Sequence, residues 1–254
     1  MCSVVVLHRA LPRHAVFVAA NRDEVLTRPA EGFGLRDGYF GPRDVQAGGT
    51  WLGVNRQGVF AAVTNRFGRP PDKTRRSRGE VVPTLLAAGS AAEAAARLAA
   101  LDPKAFNGFH AVVADADHAA YCISDGVTLT VREFSGVLVL TERSMTAAEP
   151  GEPSSERESW LVPAARALAA AAIDRPEAWW SLLATRREPT FEGACVHWPE
   201  QGYGTRSATV LGLGGLPMLR ASERPPCESE ASVLDSELAA YLSGGSTMMV
   251  ERRG

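Results

Sequence analysis

The chain has 254 residues, of which 45% are hydrophobic and 22% charged, the composition of an ordinary globular protein. Its formal net charge of −2 argues against nucleic acid or an anionic membrane surface as the main partner. No apolar run reaches the roughly 18 to 20 residues that cross a bilayer, and the N-terminus lacks a signal-peptide pattern. We therefore expect a cytoplasmic protein without a membrane span, organised as a single domain over residues 1–254.

The cysteines are too few for a disulfide scaffold, and none of them forms a CxxC pair. A reducing compartment is therefore expected. The histidines are scattered, and the Cys-Val-His run at 195–197 is too short to indicate a metal site by itself. No metal and no resident cofactor are predicted. The four cysteines are Cys2, Cys122, Cys195 and Cys227.

The first elements in chain order are two predicted hairpins. Residues 3–7 and 14–20 are β-rich runs separated by a turn-like segment at 9–13. Residues 48–65 contain two further apolar runs, with a turn at Asn55 to Gly58. The chain therefore opens with antiparallel strands.

Helices and strands come in blocks over the rest of the chain. The polar, basic stretch at 66–78 is predicted to be an exposed loop, although its cations would also suit the phosphates of a ligand such as an acyl-coenzyme A. Gly212 to Pro217 is predicted to be a hairpin turn rather than a phosphate loop, because no helix follows it. The blocks indicate an α+β fold of packed layers. Helices are predicted at 79–101 (two), 155–172, 176–186 and 230–242, and strands at 109–114, 119–123, 127–133, 137–141, 205–212, 216–221 and 246–251.

Cys2 directly follows the initiator methionine. Methionine aminopeptidases remove Met1 when the second side chain is small, so we expect the mature chain to begin at Cys2. Thiol and α-amine then share one residue, and an amine with a pKa of about 7.7 to 8 can accept the thiol proton. Taken alone, a cysteine at position 2 favours an ordinary unused thiol.

A polar block, Asn21-Arg22-Asp23-Glu24, ends the first predicted hairpin. Antiparallel pairing would bring this block back towards Cys2, where Asp23 would hold an α-ammonium and Arg22 would lower the thiol pKa. Alternate residues of a strand face opposite ways, so Arg22 and Asp23 both point at Cys2 only if the chain turns there. Without further pattern, a salt-bridged turn is the favoured interpretation.

Several short blocks occur along the chain in a fixed order. They are the Met-Cys start, Ala20–Glu24, Arg28-Pro29, Arg43-Asp44, Ala47–Gly53, Thr64–Arg66, Ser77–Glu80, Phe106–Phe109 and Tyr203–Val210. Together they resemble the NRDE family, also called the transport and Golgi organisation protein 2 family. The resemblance is dense over residues 1–80, sparse over 81–200 and clear again near 203–211.

This family is similar to the N-terminal nucleophile hydrolases, which implies a four-layer α/β/β/α sandwich whose first mature residue attacks an amide carbonyl. By analogy with the choloylglycine and penicillin acylases, Cys2 would be the nucleophile and Asn65 a donor to the oxyanion. The implied activity is that of an amidohydrolase or acyltransferase acting on a small acyl amide. The site residues that the resemblance implies are Cys2, Asn21, Arg22, Asp23, Asn65 and Arg206.

One position departs from the family pattern. Where the family commonly has Leu-Ser-Asn, this chain has Leu140-Thr141-Glu142, and an ionised carboxylate cannot donate to an oxyanion. The alternative function is a non-enzymatic carrier of haem or acyl lipid, because eukaryotic members have been tied to haem trafficking and to Golgi and lipid homeostasis. Haem would then be cargo. The chain has only Pro226-Cys227, the reverse of a Cys-Pro haem motif, and its oligomeric state is not indicated.

Overall fold

The structure is a computed structural model that describes residues 2–68, 70–144 and 155–244. The strands within these ranges are β1 (Cys2–Leu11), β2 (His14–Val25), β3 (Ala30–Leu35), β4 (Phe40–Asp44), β5 (Leu52–Val54), β6 (Phe60–Asn65), β7 (Phe109–Ala114), β8 (Ala119–Ser124), β9 (Leu129–Glu133), β10 (Gly136–Thr141), β11 (His197–Trp198), β12 (Tyr203–Leu213), β13 (Met218–Ser222) and β14 (Ser232–Val233). The α-helices are α1 (Val81–Leu86), α2 (Ala91–Ala99), α3 (Glu156–Ala170), α4 (Pro176–Leu183) and α5 (Asp235–Leu242). The strand predicted at 246–251 lies outside the described residues.

The strands form two antiparallel sheets of seven strands each. The first sheet has the order β10-β1-β2-β12-β13-β14, and β11 pairs with one end of β12. The second sheet runs in chain order from β3 to β9. The first and the last of the described strands therefore belong to the first sheet, where β2 lies between β1 and β12.

Three apolar cores separate four layers. Side chains such as Val4 and Phe60 fill the space between the sheets, joined by residues of α5. Leu85 belongs to the core between α1, α2 and the second sheet, and Leu161 and Trp179 belong to the core between α3, α4 and the first. The predicted four-layer α/β/β/α sandwich is confirmed. Strands that are buried on both faces need continuous apolar runs, which explains the composition of β1.

Most predicted elements are confirmed, and the differences have local causes. The first hairpin is longer than predicted, because an irregularity at Arg9, whose φ is 53°, lets β1 continue through the expected turn. The block Asn21 to Glu24 lies inside β2 rather than in a turn. Strands β3 and β4 occupy a segment in which no element is predicted. No helix in the described ranges is long and apolar enough to cross a membrane.

Candidate active site

A cleft of about 420 Å³ opens where the ends of β1, β2 and β6 meet. Cys2, Arg22, Asp23 and Asn65 all line it, together with Arg78 from the segment before α1. A second cavity of about 760 Å³ adjoins the cleft and shares Asn65 and Arg78 with it. Four of the six predicted site residues therefore meet in one cleft.

Cys2 begins β1 and pairs directly with Arg22 on β2. Val4 and Val6 follow at alternate positions and lie between the sheets, so the thiol of Cys2 and the side chain of Arg22 belong to this inner face. Desolvation raises the pKa of the Cys2 thiol, and the charge of Asp23 acts in the same direction, whereas Arg22 lowers it. The thiol therefore needs a base before it can act as a nucleophile.

The guanidinium of Arg22 is fixed between the sheets. It donates to Asp44 Oδ2 over 3.2 Å and lies 4.2 Å above the ring centre of Trp51. Arg28 donates to the same carboxylate over 2.8 Å. Burial acts to raise the pKa of Asp44, but the hydrogen bonds from Arg28 and from the N–H of Ala47 outweigh it and hold the pKa below its ordinary value. Arg22 is thus a paired cation held on the inner face beside Cys2.

Asp23 faces the other side of β2, towards α3. Its carboxylate accepts a hydrogen bond of 2.6 Å from Thr205 and lies 3.5 Å from Arg157 Nη1. The same nitrogen donates to Ser3 Oγ over 3.1 Å and lies 3.6 Å from Glu142 Oε2. Burial raises the pKa of both Asp23 and Glu142, and Arg157 opposes this shift in each case. One buried cation therefore joins two buried carboxylates at the end of the first sheet.

Arg22 and Asp23 project to opposite faces because β2 continues in extended form through both residues. The chain does not turn at these residues, so the two side chains do not both point at Cys2, as the alternation of side chains along a strand predicts. The two side chains therefore enter different layers of the sandwich. Arg22 contacts the second sheet, and Asp23 contacts α3.

Asn21 and Arg206 do not line the cleft. Asn21 Nδ2 donates to the carbonyls of Leu183 and Ala194 over 2.9 and 2.8 Å, on the helical side of the first sheet. Arg206 is the additional residue of a bulge in β12, and its Nη1 donates to the carbonyl of Leu26. Both side chains therefore brace the strands that carry the site, rather than facing Cys2.

Asn65 ends β6 opposite Phe109 of β7, half-buried at the wall of the cleft. Its side-chain amide makes no hydrogen bond to any residue of the described ranges, so both N–H groups are available to a ligand. Glu142 lines the adjoining cavity and approaches Arg143 Nε at 3.5 Å. Of these two side chains, the amide of Asn65 is the one able to donate to an anionic oxygen.

Residues 1–224 match the profile of the family described as Transport and Golgi organisation 2. The chain belongs to this family. The human homologue, from Homo sapiens, is 32% identical over 108 residues, which are 40% of this chain and 39% of that protein. The homologue from Bos taurus is 31% identical over the same shares. The chain thus aligns with about two fifths of the length of these curated members of the Transport and Golgi organisation 2 family.

Three solved structures share the fold. An N-acylethanolamine-hydrolyzing acid amidase orthologue from Caenorhabditis elegans has a TM-score of 0.58 at 14% identity, covering 84% of this chain and 92% of that one. Penicillin V acylase from Agrobacterium tumefaciens has a TM-score of 0.55 at 17% identity, covering 88% and 83%. The C2A mutant of the conjugated bile acid hydrolase from Clostridium perfringens has a TM-score of 0.54 at 11% identity, covering 92% and 96%. This Transport and Golgi organisation 2 chain therefore has the N-terminal nucleophile hydrolase fold.

Two arginines of the site were missed by the sequence analysis. Arg157 precedes Leu161 and Ala165 at intervals of four on the buried face of α3, so a charge within an apolar stripe was the available signal. Arg78 belongs to a family block but was given no role. Burial lowers the pKa of its guanidinium, whereas the nearby Cys2 acts to raise it. Both residues extend the site beyond the family's named motif.

A close glycine contact fixes the rim of the cleft. A Cβ on Gly49 would lie only 2.4 Å from the carbonyl oxygen of Gly79, and the N–H of Thr50 donates to this same oxygen. Gly48 before it has a φ of 74°, which favours glycine. Gly48 and Gly49 therefore allow two segments of the main chain, at 48–50 and at Gly79, to come into contact where Arg78 enters the cleft.

Much of the basic loop is used within the protein. Arg75 donates to the carbonyls of Phe106 and Gly126 over 2.7 and 2.9 Å. Arg76 forms an ion pair of 2.8 Å with Glu80. These contacts favour the interpretation as a loop over a site for phosphate groups, because the guanidinium groups of Arg75 and Arg76 already have partners within the protein.

Proposed function

We propose that this protein is an N-terminal cysteine amidohydrolase that cleaves a small acyl amide. The observation that carries the proposal is the shared cleft, in which Cys2 begins β1 and Asn65, whose amide has no partner among the described residues, ends β6. The fold supports it, because proteins of the same fold are named as an N-acylethanolamine-hydrolyzing amidase, a penicillin V acylase and a conjugated bile acid hydrolase.

Removal of Met1 would give Cys2 an α-amine on the same carbon that bears its side chain. An amine with a pKa of about 7.7 to 8 is partly neutral near neutral pH and takes the thiol proton directly or through one water. Because desolvation raises the pKa of this thiol, an adjacent base is needed. The sulfur then forms a bond to the amide carbonyl carbon, and the carbonyl electron pair moves to the oxygen.

The resulting oxyanion would accept a hydrogen bond from Asn65. One such donor is worth roughly 2.7 to 4 kcal/mol in the transition state of acyl transfer. Collapse of the intermediate breaks the C–N bond, and the α-ammonium gives its proton to the departing amine, leaving a thioester on Cys2. Water activated by the same amine then hydrolyses the thioester, which releases the acid and restores the thiol.

Asp23 is the residue proposed to hold the α-ammonium. Its carboxylate and that of Glu142 share Arg157, so these three buried groups sum to one negative charge when both carboxylates are ionised. Arg143 approaches Glu142 from a position that is 41% exposed, where solvent screens its charge. A cationic N-terminus would therefore be stabilised at this end of the sheet.

Intact mass spectrometry and turnover together test this function. The active protein should lack Met1, and Cys2→Ala should abolish hydrolysis of at least one amide in a panel containing an N-acylethanolamine, penicillin V and a glycine-conjugated bile acid. Cys122→Ala is the matched control, because Cys122 is a free thiol buried in the second sheet. Retention of Met1 in the active protein, or equal turnover by wild type and Cys2→Ala, would contradict the proposal.

The carrier alternative gives the opposite result in the same experiment. Among the described residues that line the cleft, Cys2 is the one whose side chain is of a type that commonly ligates haem iron. A carrier would bind haem with a change in absorbance that depends on Cys2 and would show no turnover of any amide. Absence of the absorbance change, together with hydrolysis, favours the enzyme.

A further inference from the structure

Two cysteines and a histidine meet on the helical side of the first sheet, away from the residues lining the cleft. His197 Nε2 lies 2.9 Å from Cys227 Sγ and 3.4 Å from Cys195 Sγ, and the two sulfurs are 2.7 Å apart. These three donor atoms converge on one point from two separate segments of the chain. The sequence could not indicate this cluster, because Cys227 is 30 residues from His197.

The main chain around each donor is anchored. The N–H of Cys195 donates to the carbonyl of Thr185, and the N–H of His197 donates to Thr190 Oγ1. The turn that carries Cys227 is fixed by α4, because Trp180 Nε1 donates to the carbonyls of Pro226 and Ser229. The three side chains are therefore held together by the fold, as a metal site requires.

We infer that Cys195, His197 and Cys227 form a zinc site, in which two thiolates and one imidazole bind the ion and water completes a tetrahedron. Thiolate and imidazole are the ligands that zinc prefers in proteins. Zinc binds sulfur at about 2.3 Å, so a tetrahedral ion spaces two sulfurs about 3.8 Å apart and would separate these two by about 1 Å more than at present. Both sulfurs belong to segments outside regular helices and strands.

The second nitrogen of the imidazole supports a metal rather than a disulfide. His197 Nδ1 lies 3.4 Å from Glu228 Oε1, while Nε2 faces the sulfurs. A carboxylate beside the second nitrogen is common for imidazoles that bind zinc, because it orients the ring. A Cys195–Cys227 disulfide would use neither the placement of His197 nor that of Glu228.

The zinc site would fix a segment that reaches the candidate active site. Ala194, which precedes Cys195, accepts a hydrogen bond from Asn21. The N–H of Val196 donates to Thr205 Oγ1 over 2.8 Å, and this hydroxyl donates to Asp23 over 2.6 Å. The segment that carries the metal ligands is therefore joined to Asp23 through Val196 and Thr205.

The zinc content of the purified full chain tests the site independently of any activity. The chain is expressed in zinc-containing medium, purified with a reductant and without chelator, and analysed by plasma mass spectrometry. Wild type and Cys2→Ala should each hold one zinc per chain, and Cys2→Ala controls for metal held in the cleft. Cys227→Ser and His197→Asn should reduce zinc occupancy by about tenfold or more after dialysis against a weak chelator.

Cobalt substitution gives a second readout on the folded wild-type chain. Cobalt bound by two thiolates should produce intense thiolate-to-cobalt absorption in the near ultraviolet, and His118→Asn, a matched variant in a surface turn, should leave it unchanged. Circular dichroism of each variant verifies that the chain is folded. A wild-type protein without zinc, whose Cys195 and Cys227 form a disulfide or react freely with a thiol reagent, would overturn the inference.

Discussion

The two helical layers cover their sheets with different chemistry. The buried side chains of α1 and α2 are all apolar, whereas α3 buries Arg157 and Glu158 next to Leu161. Arg157 reaches past the first sheet's end to Asp23 and Glu142. The layer over the second sheet therefore buries only apolar helical side chains, whereas the layer over the first sheet also supplies charge to the candidate site.

The same two layers share one polar device. Asn55 Nδ2 donates to the carbonyls of Leu86 and Ala88 at the end of α1, over 2.9 and 2.7 Å. Asn21 donates to the carbonyl of Leu183 at the end of α4 and to that of Ala194 in the segment before β11. Each asparagine therefore ties a helix terminus to a sheet by satisfying a carbonyl that the helix leaves free. The two layers thus share this asparagine contact and differ in the buried charged side chains, which α3 supplies and α1 and α2 do not.

The largest expected effect on stability comes from replacing the buried arginine of the layer over the first sheet. An arginine of the other layer serves as the comparison. Arg157→Met leaves Asp23 and Glu142 buried without their shared cation, so we expect a loss of about 3 to 5 kcal/mol in the free energy of unfolding. Arg97→Met, on α2, removes a partly exposed pair with Glu93, which is typically worth about 0.3 to 0.5 kcal/mol. Urea denaturation measures both.

The same experiment separates charge from packing. Adding Asp23→Asn to Arg157→Met should recover part of the stability, because one uncompensated charge is removed. Equal losses from Arg157→Met and Arg97→Met would remove the distinction between the two layers.

A buried histidine in the second sheet gives a pH-dependent test of the comparison. Burial lowers the pKa of His110 from 6.5 to about 4, so the unfolded chain binds this proton more readily than the folded chain does between these values. The contribution of His110 to the free energy of unfolding therefore decreases as the pH falls from 6.5 to about 4. The total decrease is roughly 3 kcal/mol. The raised pKa values of Asp23 and Glu142 act in the opposite direction, because their folded forms take up protons first.

Comparison with His110→Gln isolates the histidine. The stability of wild type relative to His110→Gln should fall as the pH is lowered from 6.5 to 4, measured by denaturation at each pH. If the difference in the free energy of unfolding stayed constant across that range, the carboxylates at the first sheet, rather than His110 in the second sheet, would determine how stability changes in acid.

The smallest expected effect distinguishes the two asparagine clamps. Asn21→Ala and Asn55→Ala each leave two carbonyls without a donor, and we expect a loss of about 1 to 3 kcal/mol in each variant. Only Asn21→Ala should also lower kcat, because Ala194 adjoins the segment that reaches Asp23 through Thr205. Thermal unfolding and amide turnover are the measurements, and an equal fall in kcat for both variants would contradict the special role of the first sheet.

Local patterns were enough to predict blocks of strands and helices in an α+β fold, and the family resemblance implied the four-layer sandwich and the site residues. The alternation rule indicated that Arg22 and Asp23 could not both point at Cys2 unless the chain turned there, and the pairing of Cys2 with Arg22 in the structure shows which of them shares its face. Asn65 was assigned by the family resemblance, and it lies at the end of the second predicted hairpin. These inferences hold because hairpin geometry is local and leaves few alternatives.

Contacts between distant segments could not be predicted in the same way. Arg157 meets Asp23 across 134 residues, and the cluster of Cys195 and Cys227 depends on how two loops pack beside α4. Asn21 belongs to the family motif, but the pleat turns its side chain towards α4 instead of the cleft. A motif indicates which residues matter, and the layer that each side chain enters depends on tertiary packing.

The bulge in β12 determines where a positive charge is placed. Thr205 pairs with Asp23 and Ser207 pairs with Arg22, so Arg206 is left out of the ladder between them. In a regular ladder, the arginine would pair directly with Arg22, where like charges repel. The bulge therefore keeps the positive charge of Arg206 out of the position opposite Arg22, and deletion of Arg206 would remove a positive charge near the cleft without altering any residue that lines it.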